Sequence, residues 1–287
     1  MKFHAFSSAA RYAWSANTIY DVHAPRAFSF LGEVVEDKRH FYAFDWIRKL
    51  RDGYAADQSD ITLSDFGAGS RLAPLTRGSS ISAKTRKVNN IARISGSPKR
   101  FGEYLYKTAD WLKAKRIIEL GSNLGIGTSY LAAALPSDGK LISIDADINM
   151  LIRAKAAVKS IAPDADAKLL LGTFVDQLQP ALNELETIDL AFIDGHHAEQ
   201  ATKDYFAQIL KHCHSESVII LDDIHWSPGM EAAWEWVKAQ PQVTCSIDLF
   251  RWGVVMLDPS IRIPQHLTIV PWLWKPWHMG FFSSRVG

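Results

Sequence analysis

Residues Arg116 to Asp145, RIIELGSNLGIGTSYLAAALPSDGKLISID, decide the fold. Ile117 and Ile118 open an apolar run that ends in Glu119-Leu120. A glycine loop follows, and then Tyr130, Leu131, Ala134 and Leu135 recur at helical spacing. The turn Pro136-Ser137-Asp138-Gly139 leads into a second apolar run, Leu141 to Ile144, which ends on Asp145. Strand, glycine loop, helix, turn, strand and acid make one βαβ unit with a ligand-binding loop after its first strand.

The glycines fall as Glu119-x-Gly121-x-x-x-Gly125-x-Gly127. A dinucleotide fingerprint needs G-x-G-x-x-G, and reading from Gly125 puts Tyr130 where the third glycine belongs. No lysine follows in the position a phosphate-cradling loop requires. What remains is a backbone that can approach a bulky uncharged or cationic ligand, because glycine lacks a Cβ and tolerates positive φ. Asp145, at the end of the second strand, is placed to accept both hydroxyls of a ribose. These residues resemble motif I and the following acidic position of class I S-adenosylmethionine-dependent methyltransferases. The resemblance implies that Glu119, Gly121, Ser122, Asn123 and Gly125 hold the methionine end, Asp145 the ribose, and Thr173 the adenine side, with Asp194 also on the cofactor.

Composition narrows the classes. The chain has 287 residues, 47% hydrophobic, enough for a sizeable core, and its net charge of +1 offers no basic footprint for nucleic acid. Cys213 and Cys245 lie far apart without metal spacing, which fits a reducing cytoplasm. The N-terminus has no uninterrupted apolar run of the secretory type, and no window reaches the ~18 apolar residues of a membrane span. The expectation is a soluble cytoplasmic protein without nucleic-acid or membrane partners.

Taken in order, residues 1–100 read as an aromatic, mainly helical arm or cap. A helix is expected over Glu36 to Arg51, where Phe41, Phe44, Ile47 and Leu50 recur. Asp65 to Arg71 (DFGAGSR) reads as a loop over a site or a plain turn, and Ser79 to Lys87 as a polar mobile segment. Residues 101–258 form the ligand-binding domain, with strands expected over Ala167–Leu171, Ile188–Ile193 and Ser217–Leu221 alternating with helices. Val243–Leu249 and Gly253–Leu257 are too close for a helical crossover, so they pair as an antiparallel hairpin. The fold class is therefore α/β: a doubly wound, Rossmann-like methyltransferase sheet, mostly parallel, of seven strands. Residues 259–287 form a Trp/Pro-rich tail. Its tryptophans are expected to pack on their own domain, with a homodimer contact as the second reading.

Ligands of open α/β sheets bind beyond the carboxyl ends of the strands. The polar residues there include Asp194, His196, His197, Asp222, Asp223 and His225. All-oxygen clusters such as Asp194, Asp222 and Asp223 suit Mg²⁺ or another divalent cation. Ser227-Pro228 already supplies a helix cap, so the acid pair is not needed for that purpose. FIDGHH (Phe192 to His197) and LDDIHW (Leu221 to Trp226) resemble the corresponding strand-end motifs of catechol O-methyltransferase-like enzymes. That resemblance implies transfer of a methyl group from S-adenosyl-L-methionine to a hydroxyl of a small-molecule acceptor. It puts Asp194, Asp222 and Asp223 on metal-ligand positions and His197 on the position of the family's catalytic lysine. The family often has Asp-Asn where this chain has Asp222-Asp223. A histidine, with an unperturbed pKa of about 6.5, suits proton abstraction near neutrality.

Three other readings stand beside this one. A cofactor-binding scaffold of the same fold would have lost catalysis, against which the full set of acids and histidines argues. A nicotinamide-dependent oxidoreductase is disfavoured by the glycine spacing and the terminal hairpin. Amino-group methylation of bases lacks its Asn/Asp-Pro-Pro-aromatic motif. The aromatics Phe28, Phe30, Phe41, Tyr42, Phe44 and Trp46 are expected to roof the acceptor pocket, whose walls suit a planar small molecule.

Overall fold

The computed structural model describes residues 2–64, 83–94 and 98–275. The expected DFGAGSR loop, the start of the Ser79–Lys87 segment and the tail beyond Lys275 lie outside them. The N-terminal elements are α1 (Lys2–Ser15), α2 (Pro25–Phe30), α3 (Tyr42–Ala56), β1 (Asp60–Ser64), β2 (Ala83–Lys87), α4 (Val88–Ile94) and α5 (Lys99–Leu112). The alternating region runs β3 (Arg116–Leu120), α6 (Ile126–Ala134), β4 (Lys140–Asp145), α7 (Ile148–Ile161), β5 (Ala167–Leu171), α8 (Phe174–Leu185), β6 (Ile188–Ile193) and α9 (Glu199–Leu210). It closes with β7 (Cys213–Leu221), α10 (Pro228–Lys238), β8 (Cys245–Asp248), β9 (Gly253–Met256) and β10 (Gln265–Thr268).

The chain divides into two compact units, Arg39–His196 and Met1–Lys38 with His197–Gly287. The first holds four parallel strands in the order β6-β3-β4-β5. Their apolar runs are nearly continuous, as in β3 with Ile117, Ile118 and Leu120 buried and β6 with Leu190 to Ile193 buried, because helices cover the sheet. The Asp189 carboxylate accepts the Lys115 and Arg116 N–H groups at 2.6 and 2.8 Å and so pins β6 to the start of β3. Helix starts follow local chemistry: Asp147 accepts from the N–H groups of Asn149 and Met150, and Thr173 from that of Asp176.

The second unit holds β10-β8-β9-β7, with β8 and β9 as the expected antiparallel hairpin and β7 antiparallel to β9. Ser227 caps α10 by accepting the Met230 N–H, with Pro228 at the first helical position, so the Asp222-Asp223 pair has no capping duty.

The sequence reading needs four corrections. The helix expected from Glu36 begins at Tyr42, because Phe41 is extended (φ −110°, ψ 143°) and the Glu36 carboxylate accepts the Trp272 N–H at 3.1 Å. The polar stretch Ala83–Lys87 is a strand antiparallel to Asp60–Ser64, where Lys87 lies opposite Asp60 and their charged groups are 3.7 Å apart. Gln265–Thr268 adds an eighth strand to the seven expected in the Rossmann-like part, parallel to β8. Of the tail tryptophans expected to pack on their own domain, Trp274 is exposed, Trp272 is half-buried, and Trp277 lies outside the described residues. Among the described residues no helix is long and apolar enough to cross a membrane.

Candidate active site

In the unit Arg39–His196 the strand order reverses at β3: β4 and β5 lie to one side of it and β6 to the other. The crevice beyond the carboxyl ends of strands at such a switch point is where ligands of doubly wound sheets bind. Two loops meet there, the glycine loop after β3 and Asp194-Gly195-His196 after β6. A Cβ on Gly121 would lie 2.0 Å from the carbonyl oxygen of Asp194, and Gly121 has φ +102°. Gly125 (φ +79°) would drive a Cβ to 2.5 Å from the Cα of Ala154 on α7. Both glycines are therefore required by close approach as well as by conformation. Asn123 between them and His196 across from them are also left-handed, at φ +48° and +53°. Non-glycine residues held this way persist where the surroundings determine them, commonly at functional sites.

Asp145 ends β4, and its carboxylate accepts the Asn123 N–H at 2.8 Å and the Asp147 N–H at 2.9 Å. The glycine loop is thus fastened to the acid expected to take the ribose. Each carboxylate oxygen keeps a lone pair for a further donor. Burial raises the pKa of Asp145 against these backbone hydrogen bonds, so a ligand hydroxyl would replace lost solvation.

Two residues expected at the methionine end face the interior instead. Glu119 is buried, its carboxylate accepting from the hydroxyls of Thr128 (2.6 Å) and Ser143. Burial pushes its pKa up to about 7. Ser122 is also buried, its hydroxyl 2.7 Å from that of Ser143. These side chains form a polar floor under the loop. What the loop itself offers a ligand is backbone. The Thr173 hydroxyl is engaged with Asp176, both as cap and as donor at 2.7 Å. Composition gave no sign of Tyr54, whose buried hydroxyl donates to the Leu124 carbonyl at 3.0 Å and ties α3 to the glycine loop. Of the aromatics expected to roof a pocket, Phe30 and Phe44 are core residues. Phe44 packs against Tyr106 and Tyr130 at ring distances of 5.1 and 5.8 Å.

In the other unit, β7 ends in the acid pair. The Asp222 side chain is fully buried, and both of its oxygens are taken by Arg251 from the β8–β9 turn, Nε donating at 2.7 Å and Nη2 at 2.6 Å. The same Nη2 lies 3.6 Å from Asp223, whose other oxygen lies 3.9 Å from Nε2 of His197. Asp223 has φ +54°. Burial and the Asp222 charge raise its pKa, with Arg251 and His197 opposing. Arg251 was not foreseen, although a buried carboxylate requires a partner and an arginine in the facing turn was available. Among the described residues no group of three His, Cys, Asp or Glu side chains is arranged to hold a metal ion.

Residues 118–224 match the family model described as a methyltransferase domain. The match covers 107 of the 287 residues and takes in both the glycine loop and the acid pair. The chain is 28% identical over 132 residues to catechol O-methyltransferase of Niastella koreensis (strain DSM 17620 / KACC 11465 / NBRC 106392 / GR20-10), covering 46% of this chain and 58% of that one. It is 27% identical over 155 residues to caffeoyl-CoA O-methyltransferase of Populus kitakamiensis, covering 50% and 61%. The chain thus spans somewhat under two thirds of the length of these relatives. An O-methyltransferase from Bacillus cereus, solved in complex with S-adenosylhomocysteine, superposes with a TM-score of 0.52 at 17% identity, covering 80% of this chain and 97% of that one. The chain therefore carries the Rossmann-like fold expected from its sequence.

Proposed function

We propose that this chain transfers the methyl group of S-adenosyl-L-methionine to a hydroxyl of a small-molecule acceptor. The observation that carries the reading is the switch-point loop, where Gly121 packs against the Asp194 carbonyl and Asn123 is fastened to Asp145. The O-methyltransferase relatives and the solved complex with S-adenosylhomocysteine support it.

Bound there, S-adenosyl-L-methionine supplies a methyl carbon already activated by its sulfonium. The chain then has three tasks: to hold the cofactor, to align the acceptor and to take a proton. Backbone groups of Gly121, Asn123 and Gly125 line the methionine end, Asp145 accepts the ribose hydroxyls, and Asp194 borders the same crevice. Thr173 stands at the adenine side. His197 takes the acceptor proton at Nε2. An Asp223 carboxylate oxygen lies 3.9 Å from that nitrogen. The divalent cation implied by the resemblance meets an acid pair already engaged by a guanidinium, so these residues do not fit it.

Calorimetric titration with S-adenosylhomocysteine tests the proposal. The wild type is expected to bind, and Asp145→Ala to weaken binding at least about tenfold, a loss of ~1.4 kcal/mol or more. A wild type that does not bind overturns the methyltransferase reading. Equal binding by Asp145→Ala overturns the role given to that carboxylate.

A further inference from the structure

We propose that Arg251 is a built-in cation for the acid pair at the end of β7, taking the place that a divalent metal would hold and making the site metal-independent. Both oxygens of Asp222 accept parallel hydrogen bonds from one guanidinium, the two-point geometry that arginine forms with carboxylates. The Asp222 side chain is fully buried, so its charge has no water to fall back on. A dication could reach it only by displacing the arginine, which would leave a second positive charge beside the metal. The same Nη2 lies 3.6 Å from Asp223. One guanidinium thus faces both acids, and the charges run carboxylate, guanidinium, carboxylate, imidazole from Asp222 to His197.

Arg251 is by this account a positioning residue. It fixes Asp222, holds Asp223 by charge, and through Asp223 acts on His197. Metal chelation rewards acceptors with two adjacent oxygens, and a site without the metal has nothing for such a pair to chelate. The acceptor class that follows is a single hydroxyl, with no premium on a vicinal diol. This statement about acceptors rests on the methyl-transfer reading, whereas the statement about the cation does not.

The test is electron paramagnetic resonance titration of the chelator-treated full chain with Mn²⁺, run beside calorimetry with S-adenosylhomocysteine on the same sample. The expected result is no one-to-one Mn²⁺ site that depends on the acid pair, together with undiminished binding of S-adenosylhomocysteine. A one-to-one Mn²⁺ site that Asp223→Asn or Asp222→Asn removes, with circular dichroism unchanged, overturns the proposal. Asp223→Asn keeps that decision open even if the buried Asp222→Asn variant fails to fold. Binding of S-adenosylhomocysteine that chelation abolishes and Mn²⁺ restores would also overturn the proposal, whereas failure to bind with or without metal would count against the methyltransferase reading alone.

Discussion

A methyl group at position 121 would sit 2.0 Å from the Asp194 carbonyl oxygen, and neither backbone can retreat without moving the end of a strand. Gly121→Ala is therefore expected to cost about 1–3 kcal/mol in backbone conformation alone, with the clash added to it, and to abolish S-adenosylhomocysteine binding. Urea unfolding and calorimetry measure the two effects separately. Glu119 gives a pH signature. Its folded-state pKa of about 7 is raised above the ordinary 4.5, so the folded state favours the proton. Its contribution is fully present below pH 4.5 and is lost as the pH rises through 7, to a total on the order of 3 kcal/mol. Glu119→Gln, which cannot ionise, should gain stability relative to wild type across that window. A flat difference in urea midpoints would refute the assignment. Arg251→Met leaves the Asp222 charge buried without its partner, and a loss of about 3–5 kcal/mol is expected in the same measurement. The acids and histidines at the strand ends could be placed one by one from the sequence. The orientation of Glu119 and Ser122 was not, because the spacing of a motif does not say which way a side chain turns.

Among the elements, α1 is held by a histidine. His225 lies between two carboxylates, 2.8 Å from Glu231 at Nδ1 and 2.8 Å from Asp248 at Nε2. Phe250 stacks on the ring at 5.4 Å, and Tyr12 of α1 meets Phe250 at 5.1 Å. Ser8 donates to Glu231 at 2.6 Å, and the Tyr12 hydroxyl donates to the Ile269 carbonyl. Burial would lower the pKa of His225, but hydrogen bonds and charge from Asp248 and Glu231 outweigh it, and the net shift is upward. The imidazolium's contribution is thus complete below the ordinary histidine value and disappears as the pH rises through the raised one. We expect His225→Gln to speed hydrogen exchange over residues 8–17, and exchange there in the wild type to rise more steeply than the chemical rate alone once the pH passes the raised histidine value. The strands and helices from β3 to β9 were readable because their apolar periods differ. The strand Ala83–Lys87 was not, since AKTRK has no strand pattern of its own and is extended by pairing with Asp60–Ser64.

For the whole molecule, binding to the folded state alone raises stability by RT ln(1 + [L]/Kd), about 2.7 kcal/mol at a hundredfold excess over Kd. S-adenosylhomocysteine should therefore raise the thermal midpoint in a concentration-dependent way, and the rise should be absent in Asp145→Ala. A midpoint that does not respond to ligand would contradict the cofactor site. The sequence by itself determined the βαβ order, the terminal hairpin and the set of strand-end acids and histidines. Those follow from apolar period, glycine spacing and chain order, which are local properties. Only the tertiary structure decided that Tyr54 clamps the glycine loop, that Phe44 belongs to the core, and that Arg251 neutralises Asp222. Each joins residues tens of positions apart, and such pairings are set by which surfaces must be buried and which buried charges must be matched. No window of sequence contains that information.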